Sequence, residues 1–392
     1  MVDEELLYKL WLNIQCGHDP QLIDKCIKKY GSAEKIYNYK ASPKEMMNGI
    51  RLGRVLMANR SLEPARELLT YCEQNGIDII AKGDKRYPKR LAEMYAAPQI
   101  LYVKGDFPDI DNLVCVTIVG SRECSEYSRK FANKLAYDLA SSGIVVISGM
   151  ANGIDSSAHS GALNAGNITV AALAGGVDVV YPKCNTPLYN NIVRHGAVIS
   201  ERPPQTIGKS NYYRERNRIL VGLSNGVVIV EGVVKSGTKL TATWAAESNR
   251  DLFAVPGKPD DTGAELPNKL IKDSAKLITS AEDIVGEYID VYASELKRGI
   301  ELIDADIKNM AKNGSTVQAV ELPRQKTHDF EKYEGKSRII LEYLYKNKEA
   351  VHIDDISRDC DIPASELSFE IISLMMERLV KELPGEYYTL TL

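Results

Sequence analysis

The chain has 392 residues, 44% hydrophobic and 26% charged, with 49 Lys and Arg against 53 Asp and Glu and a formal net charge of −4. That length implies two or three domains, the composition is too apolar for wholesale disorder, and the charge balance excludes a protein basic over its whole surface. A polyanionic ligand would have to be met by a local patch. The apolar runs fall far short of the roughly 18 to 20 residues that cross a bilayer. The start is acidic (Asp3, Glu4, Glu5) with no basic region leading into a cleavable apolar stretch, so no membrane span and a cytoplasmic location are expected.

The first 85 residues read as short helices. Leu6, Leu7 and Leu10, then Leu22, Ile23, Cys26 and Ile27, then Ala65, Leu68, Leu69 and Cys72 recur at three- and four-residue spacing, with no polar constellation among them. A small helical domain used for packing or interaction follows. From about residue 105 the pattern changes. Leu113–Val119, Ile144–Ile147, Ile168–Leu173, Gly196–Ile199, Gly226–Val230 and Leu252–Val255 are Val- and Ile-rich runs, alternating with stretches long enough for crossover helices. Continuous apolar runs are what strands of a parallel sheet covered on both faces look like. The expected fold class is therefore α/β: an extended Rossmann-like, doubly wound sheet over 86–287. Residues 1–85 would form an N-terminal helical domain of the SAM or HhH-like kind.

Residues 288–333 are charged and poor in apolar runs, and read as a linker with some helix. Residues 334–392 resume structure in a winged-helix pattern: helical spacing at Ile339, Ile340, Tyr343 and Leu344, a second helix around Ile353–Ile356, a third carrying Leu367, Ile371, Leu374 and Met375, and strand composition over Tyr387–Leu392. Between Ile353 and Arg378, seven carboxylates face two arginines, a balance of −5 that would repel phosphate. Protein contact or dimerisation is the expectation for this tail.

The chemistry-bearing segments fall where predicted strands end, the ligand edge of an open α/β sheet. Gly120-Ser121-Arg122 offers a tight turn, free backbone N–H groups and a guanidinium, all suited to phosphate. Ser148-Gly149 and Gly153-Ile154-Asp155 allow close backbone approach, with Asp155 as the N-cap of the helix bearing His159. His159 has no nucleophile at readable spacing and is expected to be structural. Glu201 through Arg218 holds five cations, Arg202, Lys209, Arg214, Arg216 and Arg218, against two acids, with Tyr212 and Tyr213 among them. Cations beside rings suit a single strand, whose backbone follows the charges while its bases stack. Lys235, Ser236, Gly237 and Lys239 add cations and a hydroxyl at a helix start. There is no Gly-x-x-x-x-Gly-Lys-Ser/Thr loop and no Gly-x-Gly-x-x-Gly after the first strand, so ATP hydrolysis and dinucleotide binding lack their usual devices. Scattered cysteines and histidines without paired spacing give no disulfide framework or metal site, and no cofactor is expected.

In order along the chain, Ala97-Pro98 to Gly105, Val119-Gly120-Ser121-Arg122, Ser148-Gly149, Gly153-Ile154-Asp155, Ala158-His159, Tyr181-Pro182, Ser200-Glu201, Arg216-Asn217-Arg218-Ile219, Gly222-Leu223-Ser224, Ser236-Gly237, Thr241-Ala242 and Phe253-Ala254-Val255-Pro256-Gly257 resemble the DNA-processing protein A family (DprA/Smf). The resemblance implies a binding protein and not an enzyme. It implies a homodimer that holds single-stranded DNA in a basic pocket of the Rossmann-like domain and loads a RecA-type recombinase during natural transformation and recombination. Carried over by position, Arg122, Lys209, Tyr212 or Tyr213, Arg216 and Arg218 form the pocket, lined by Ser121, Lys235, Ser236, Gly237 and Lys239, with Gly120, Ser148, Gly149, Gly153 and Asp155 as its phosphate-loop scaffold. Where the family has Phe-Pro, this chain reads Tyr213-Arg214, and Thr238-Lys239 replace a usual Ser and apolar residue. Which tyrosine stacks is open at this stage. The competing class is a nucleotide phosphoribohydrolase, whose Pro-Gly-Gly-x-Gly-Thr-x-x-Glu is not matched here: Thr241 stands where its acid would be.

Overall fold

A computed structural model describes residues 4–39, 60–312, 335–347 and most of 350–390. The chain divides into two compact units, Met1–Leu322 and Pro323–Leu392.

The larger unit is built on a nine-stranded sheet. Its strands are β1 (Asp78–Ala81), β2 (Ile100–Gly105), β3 (Cys115–Val119), β4 (Val145–Ser148), β5 (Thr169–Ala172), β6 (Gly196–Ser200), β7 (Gly226–Ile229), β8 (Asp251–Ala254) and β9 (Lys276–Leu277), in the order β1-β2-β6-β5-β4-β3-β7-β8-β9. From β6 across to β9 every pair is parallel, while β1 pairs with β2, and β2 with β6, antiparallel. The run β3-β4-β5-β6 winds one way and the chain then returns to place β7 on the other side of β3. The crevice beyond the carboxyl ends of β3 and β7 is thus the topological switch point, where open sheets receive ligands.

Every residue of β3, β4, β5, β6 and β7 is buried, and the two-residue period of a strand assigns their side chains to opposite faces. Cys115 and Val119 share a core with Val145, Ile147, Ile219, Leu220, Leu223 and Ala242. Val116 and Ile118 pack on the other face with Val146, Leu135, Leu139, Ile154 and Ala158. The helices at the site are α1 (Glu126–Ser141), α2 (Ile154–Asn164), α3 (Ser210–Leu223) and α4 (Gly237–Glu247). Ser125 caps α1, accepting from Ser128 N at 3.1 Å.

One expectation is corrected. Asp78–Ala81 is a strand, within the stretch read as helical, and the edge pair β1/β2 is part of the main sheet. β1 is only four residues long and, buried at three of them, shows no alternation to set it apart from the helical spacing before it. The N-terminal helices Glu4–Gln15, Pro20–Tyr30, Ala33–Asn38 and Glu63–Gln74 share a core with Tyr102, Leu173 and Val198 of the sheet unit. Within 288–333, read as a linker with some helix, Ala293–Lys312 is a 20-residue helix whose Leu296 joins the sheet core, and residues 313–333 lie outside the described ones.

The smaller unit holds helices Gly335–Asn347 and Ile353–Cys360 and a three-stranded antiparallel sheet of β10 (Val351–His352), β11 (Val380–Leu383) and β12 (Tyr387–Leu390), in the order β10-β12-β11. Leu367, Ile371, Leu374 and Met375, expected on a third helix, are helical, and the first three join Ile340, Leu344, Ile356 and Tyr388 in one core. Arg358 is paired with Asp355 at 2.7 Å and Asp359 at 2.9 Å.

Candidate nucleic-acid interface

At the switch point lies an open cleft of about 340 Å³, lined by Val119 at the end of β3, Gly120, Ser121, Arg122 and Glu123 of the turn after it, Ala151 before α2 and Asp155 in its first turn, Tyr213, Arg214, Arg216, Asn217 and Leu220 of α3, and Ser236, Gly237, Thr238 and Thr241 opening α4. These segments are drawn from the stretch between Val119 and Thr241, and the fold of parallel crossovers brings them to one rim. The turns are shaped by glycine. Gly153 has φ +80°, and a Cβ there would meet Arg122 O at 2.6 Å, so the loop before α2 is held against the Ser121-Arg122 turn. A Cβ on Gly149 would overlap the Arg216 guanidinium. The first sets the shape of the anion turn and the second leaves room for the arginine behind it.

Arg216 is 5% exposed, donates to Ala172 O and lies beside Asp155. Burial lowers the Arg216 pKa, and the neighbouring carboxylate opposes that shift. Burial likewise raises Asp155, with Arg216 the largest opposing influence. Asp155 was expected as N-cap of α2. It sits instead in the first turn, where Oδ2 accepts from Ala151 N at 3.4 Å, and Gly153 occupies the cap. One turn on, His159 is fully buried, with Nδ1 2.8 Å from Thr169 Oγ1, and burial, reinforced by Arg216, lowers its pKa to about 3. It is a neutral core residue. Ser148 is also scaffold, its buried hydroxyl donating to Ile118 O at 2.6 Å.

Arg122 and Tyr213 meet at the mouth, the exposed guanidinium 4.9 Å from the ring centroid. Of the two tyrosines, Tyr213 is the one that lines the cleft. Tyr212 belongs to a separate group, with the Arg202 guanidinium 4.1 Å and Lys209 Nζ 5.8 Å from its ring. One residue along a helix is a rotation of about 100°, which is why adjacent tyrosines part company.

Among the cations expected at the pocket, Arg122 and Arg216 line the cleft. Arg218 does not: it is 4% exposed, with Nη1 3.2 Å and Nη2 2.5 Å from the two carboxylate oxygens of Glu201 and Nε donating to Ala96 O at 2.9 Å. Lys209, Lys235 and Lys239 are exposed but outside the cleft lining, as is Tyr212. Ser121, Ser236 and Gly237 do line it, and the buried Ser236 Oγ has no hydrogen-bond partner. Arg214, counted with the basic stretch, lines the cleft as well, whereas Asn217, Thr238 and Thr241 were not among the expected site residues. Asn217 Nδ2 donates to Gly237 O at 3.3 Å, tying α3 to the start of α4. Its signal was present, since Tyr213, Arg216, Asn217 and Leu220 stand at the i, i+3, i+4, i+7 spacing of one helix face.

An open Rossmann-like sheet with a cleft lined by arginine, tyrosine and hydroxyl residues at its switch point defines the class of fold and the place on it where a ligand would be met. The sequence profile of the DNA recombination-mediator protein A family matches residues 78–289, more than half of the chain, and the chain belongs to that family. The DNA processing protein DprA of Bacillus subtilis is 40% identical over 222 residues, 57% of this chain and 74% of that one. The DprA of Streptococcus pneumoniae is 38% identical over 52% of this chain and 72% of its own length. The crystal structure of the S. pneumoniae protein superposes with a TM-score of 0.62 at 32% identity, covering 72% of this chain and 97% of that one. A DNA processing protein A from Helicobacter pylori, described for its single-stranded DNA binding mode, superposes with a TM-score of 0.51 at 26% identity, covering 55% of this chain and 97% of that one.

Proposed function

We propose that this chain binds an unpaired DNA strand in the cleft beyond β3 and β7. The observation that carries the reading is the contact of Arg122 with Tyr213 over the Gly120-Ser121 turn. It places a guanidinium, the group that pairs with phosphate, beside an aromatic face, the pairing that a single strand requires and a duplex, whose bases are occupied in stacking, does not. Membership of a recombination-mediator family and the H. pylori relative's single-stranded DNA binding support the same ligand.

On this reading the protein is a binder and not an enzyme. It acts as a homodimer in the cytoplasm and passes the bound strand to a RecA-type recombinase during uptake or recombination. Support for those steps comes from the family resemblance. Fluorescence anisotropy with single-stranded and duplex oligonucleotides at two ionic strengths, without ATP, tests the binding. Preference for the single strand and a weakened Arg122→Glu variant are expected, while equal affinity for duplex, or an unaffected variant, rejects the reading. Sedimentation tests the dimer, pull-down the recombinase, and release of free base from a nucleoside monophosphate would reject the non-catalytic assignment.

A further inference from the structure

Tyr181 stands 60% exposed next to the cleft but outside its lining, its ring centroid 6.3 Å from that of Tyr213 and inclined at 62°. An exposed tyrosine alone needs no explanation. This one sits on a loop fastened on several sides. Gly176 N donates to Thr206 O at 2.9 Å, Asp178 accepts from Tyr71 Oη at 2.9 Å and Gln205 N at 2.7 Å, Asn185 Nδ2 donates to Met150 O at 3.0 Å, and Cys184 Sγ lies 3.4 Å from Asn152 Oδ1. A flat apolar surface is thus presented to solvent by a positioned backbone, the arrangement that lowers the ordering cost of binding. Tyr213, by contrast, has Arg122 over its ring and its hydroxyl close against Gly208, so the more open ring of the pair is Tyr181.

We propose that Tyr181 is a second base-stacking platform, taking the nucleobase next to the one received at Tyr213. A stacked strand advances about 3.4 Å per nucleotide, so rings 6.3 Å apart suit consecutive bases of a strand drawn out of its stacked form. The platform recognises a π-face and is indifferent to base identity. The cleft floor supplies the phosphate contacts, and Tyr181 extends the footprint without adding charge. This inference rests on the single-strand reading above.

The test is anisotropy with oligo-dT in the full-length protein, comparing wild type with Tyr181→Ala and Tyr181→Phe at several salt concentrations, and repeating each with oligonucleotides carrying one abasic position. Tyr181→Ala is expected to weaken binding by about fivefold to a hundredfold, with the log-log salt slope unchanged, and Tyr181→Phe to bind as wild type. At one position the abasic site should weaken wild type but leave Tyr181→Ala unaffected, the non-additivity of two changes to one contact. Equal binding by Tyr181→Ala and wild type overturns the proposal, as does a loss shared by Tyr181→Phe or fully additive with every abasic site. If wild type itself shows no preference for the single strand, the underlying reading fails; if wild type binds and Arg122→Glu does not while Tyr181→Ala is unaffected, this inference alone fails.

Discussion

Arg218 and Glu201 form a two-pronged ion pair inside the protein, Nη1 to Oε1 at 3.2 Å and Nη2 to Oε2 at 2.5 Å, with side chains only 5% and 6% exposed. Arg202 Nη2 lies 3.6 Å from the same carboxylate and also pairs with Glu215. The most basic stretch of the chain is in this part a structural network that anchors α3 to the end of β6. Removing one partner of such a pair strands the other charge, so Arg218→Ala is expected to lower stability by about 3 kcal/mol. Urea denaturation measures this. A destabilisation below about 1 kcal/mol, with ssDNA affinity falling instead, would return Arg218 to the binding surface.

Arg122 is expected to behave in the opposite sense. It is exposed and its contact in the structure is with the Tyr213 ring. Arg122→Ala should leave stability within about 0.5 kcal/mol of wild type while lowering ssDNA affinity for all sequences alike. Loss of one phosphate contact reduces the log-log salt slope by about 0.7, which an affinity series over salt concentration reads directly.

The two neighbouring tyrosines should separate by experiment. Tyr213→Ala removes the ring at the cleft and is expected to weaken single-strand binding by about fivefold or more. Tyr212→Ala removes the ring under Arg202 and should change affinity by no more than about twofold, lowering thermal stability instead, because a cation–ring contact near a buried arginine is lost. A reversed order of the two affinities would move the binding face of α3 by one residue.

Acidification should destabilise the sheet unit through His159. Its unfolded value is about 6.5 and its folded value about 3, so below pH 6.5 the unfolded chain binds a proton that the folded one refuses. Stability is complete above pH 6.5 and lost as pH falls towards 3, by about 2 kcal/mol between pH 7 and pH 5 from this residue. His18, lowered to about 4 chiefly by burial, acts in the same direction, while Asp155, raised by burial, acts in the opposite one. The comparison that isolates His159 is therefore wild type against His159→Asn by urea denaturation at both pH values. An identical pH dependence in the two proteins would show that His159 titrates normally.

The six Val- and Ile-rich runs were readable as parallel strands because a strand buried on both faces has no polar alternation, and β3 to β8 lie where those runs predict. The edge pair was not. β1 is four residues long, follows the helix Glu63–Gln74, and pairs antiparallel with a strand over twenty residues downstream, a relationship that leaves no local signature. The turns Gly120-Ser121-Arg122 and Ser236-Gly237 were legible as candidates for the ligand edge because each lies at the end of a predicted strand, and both line the one cleft.

Sequence by itself determined the fold class, the rim on which ligand chemistry gathers and the family, since these depend on residue type and order along the chain. Tertiary structure alone decided which cations are available. Arg216 and Arg218 are two residues apart on α3, yet the first lines the cleft beside Asp155 and the second is closed off against Glu201. A guanidinium's role is set by the carboxylates and carbonyls that packing brings to it, and those neighbours come from the end of β5, the residue after β6, the turn before β2 and the first turn of α2, which no spacing in the sequence relates to α3.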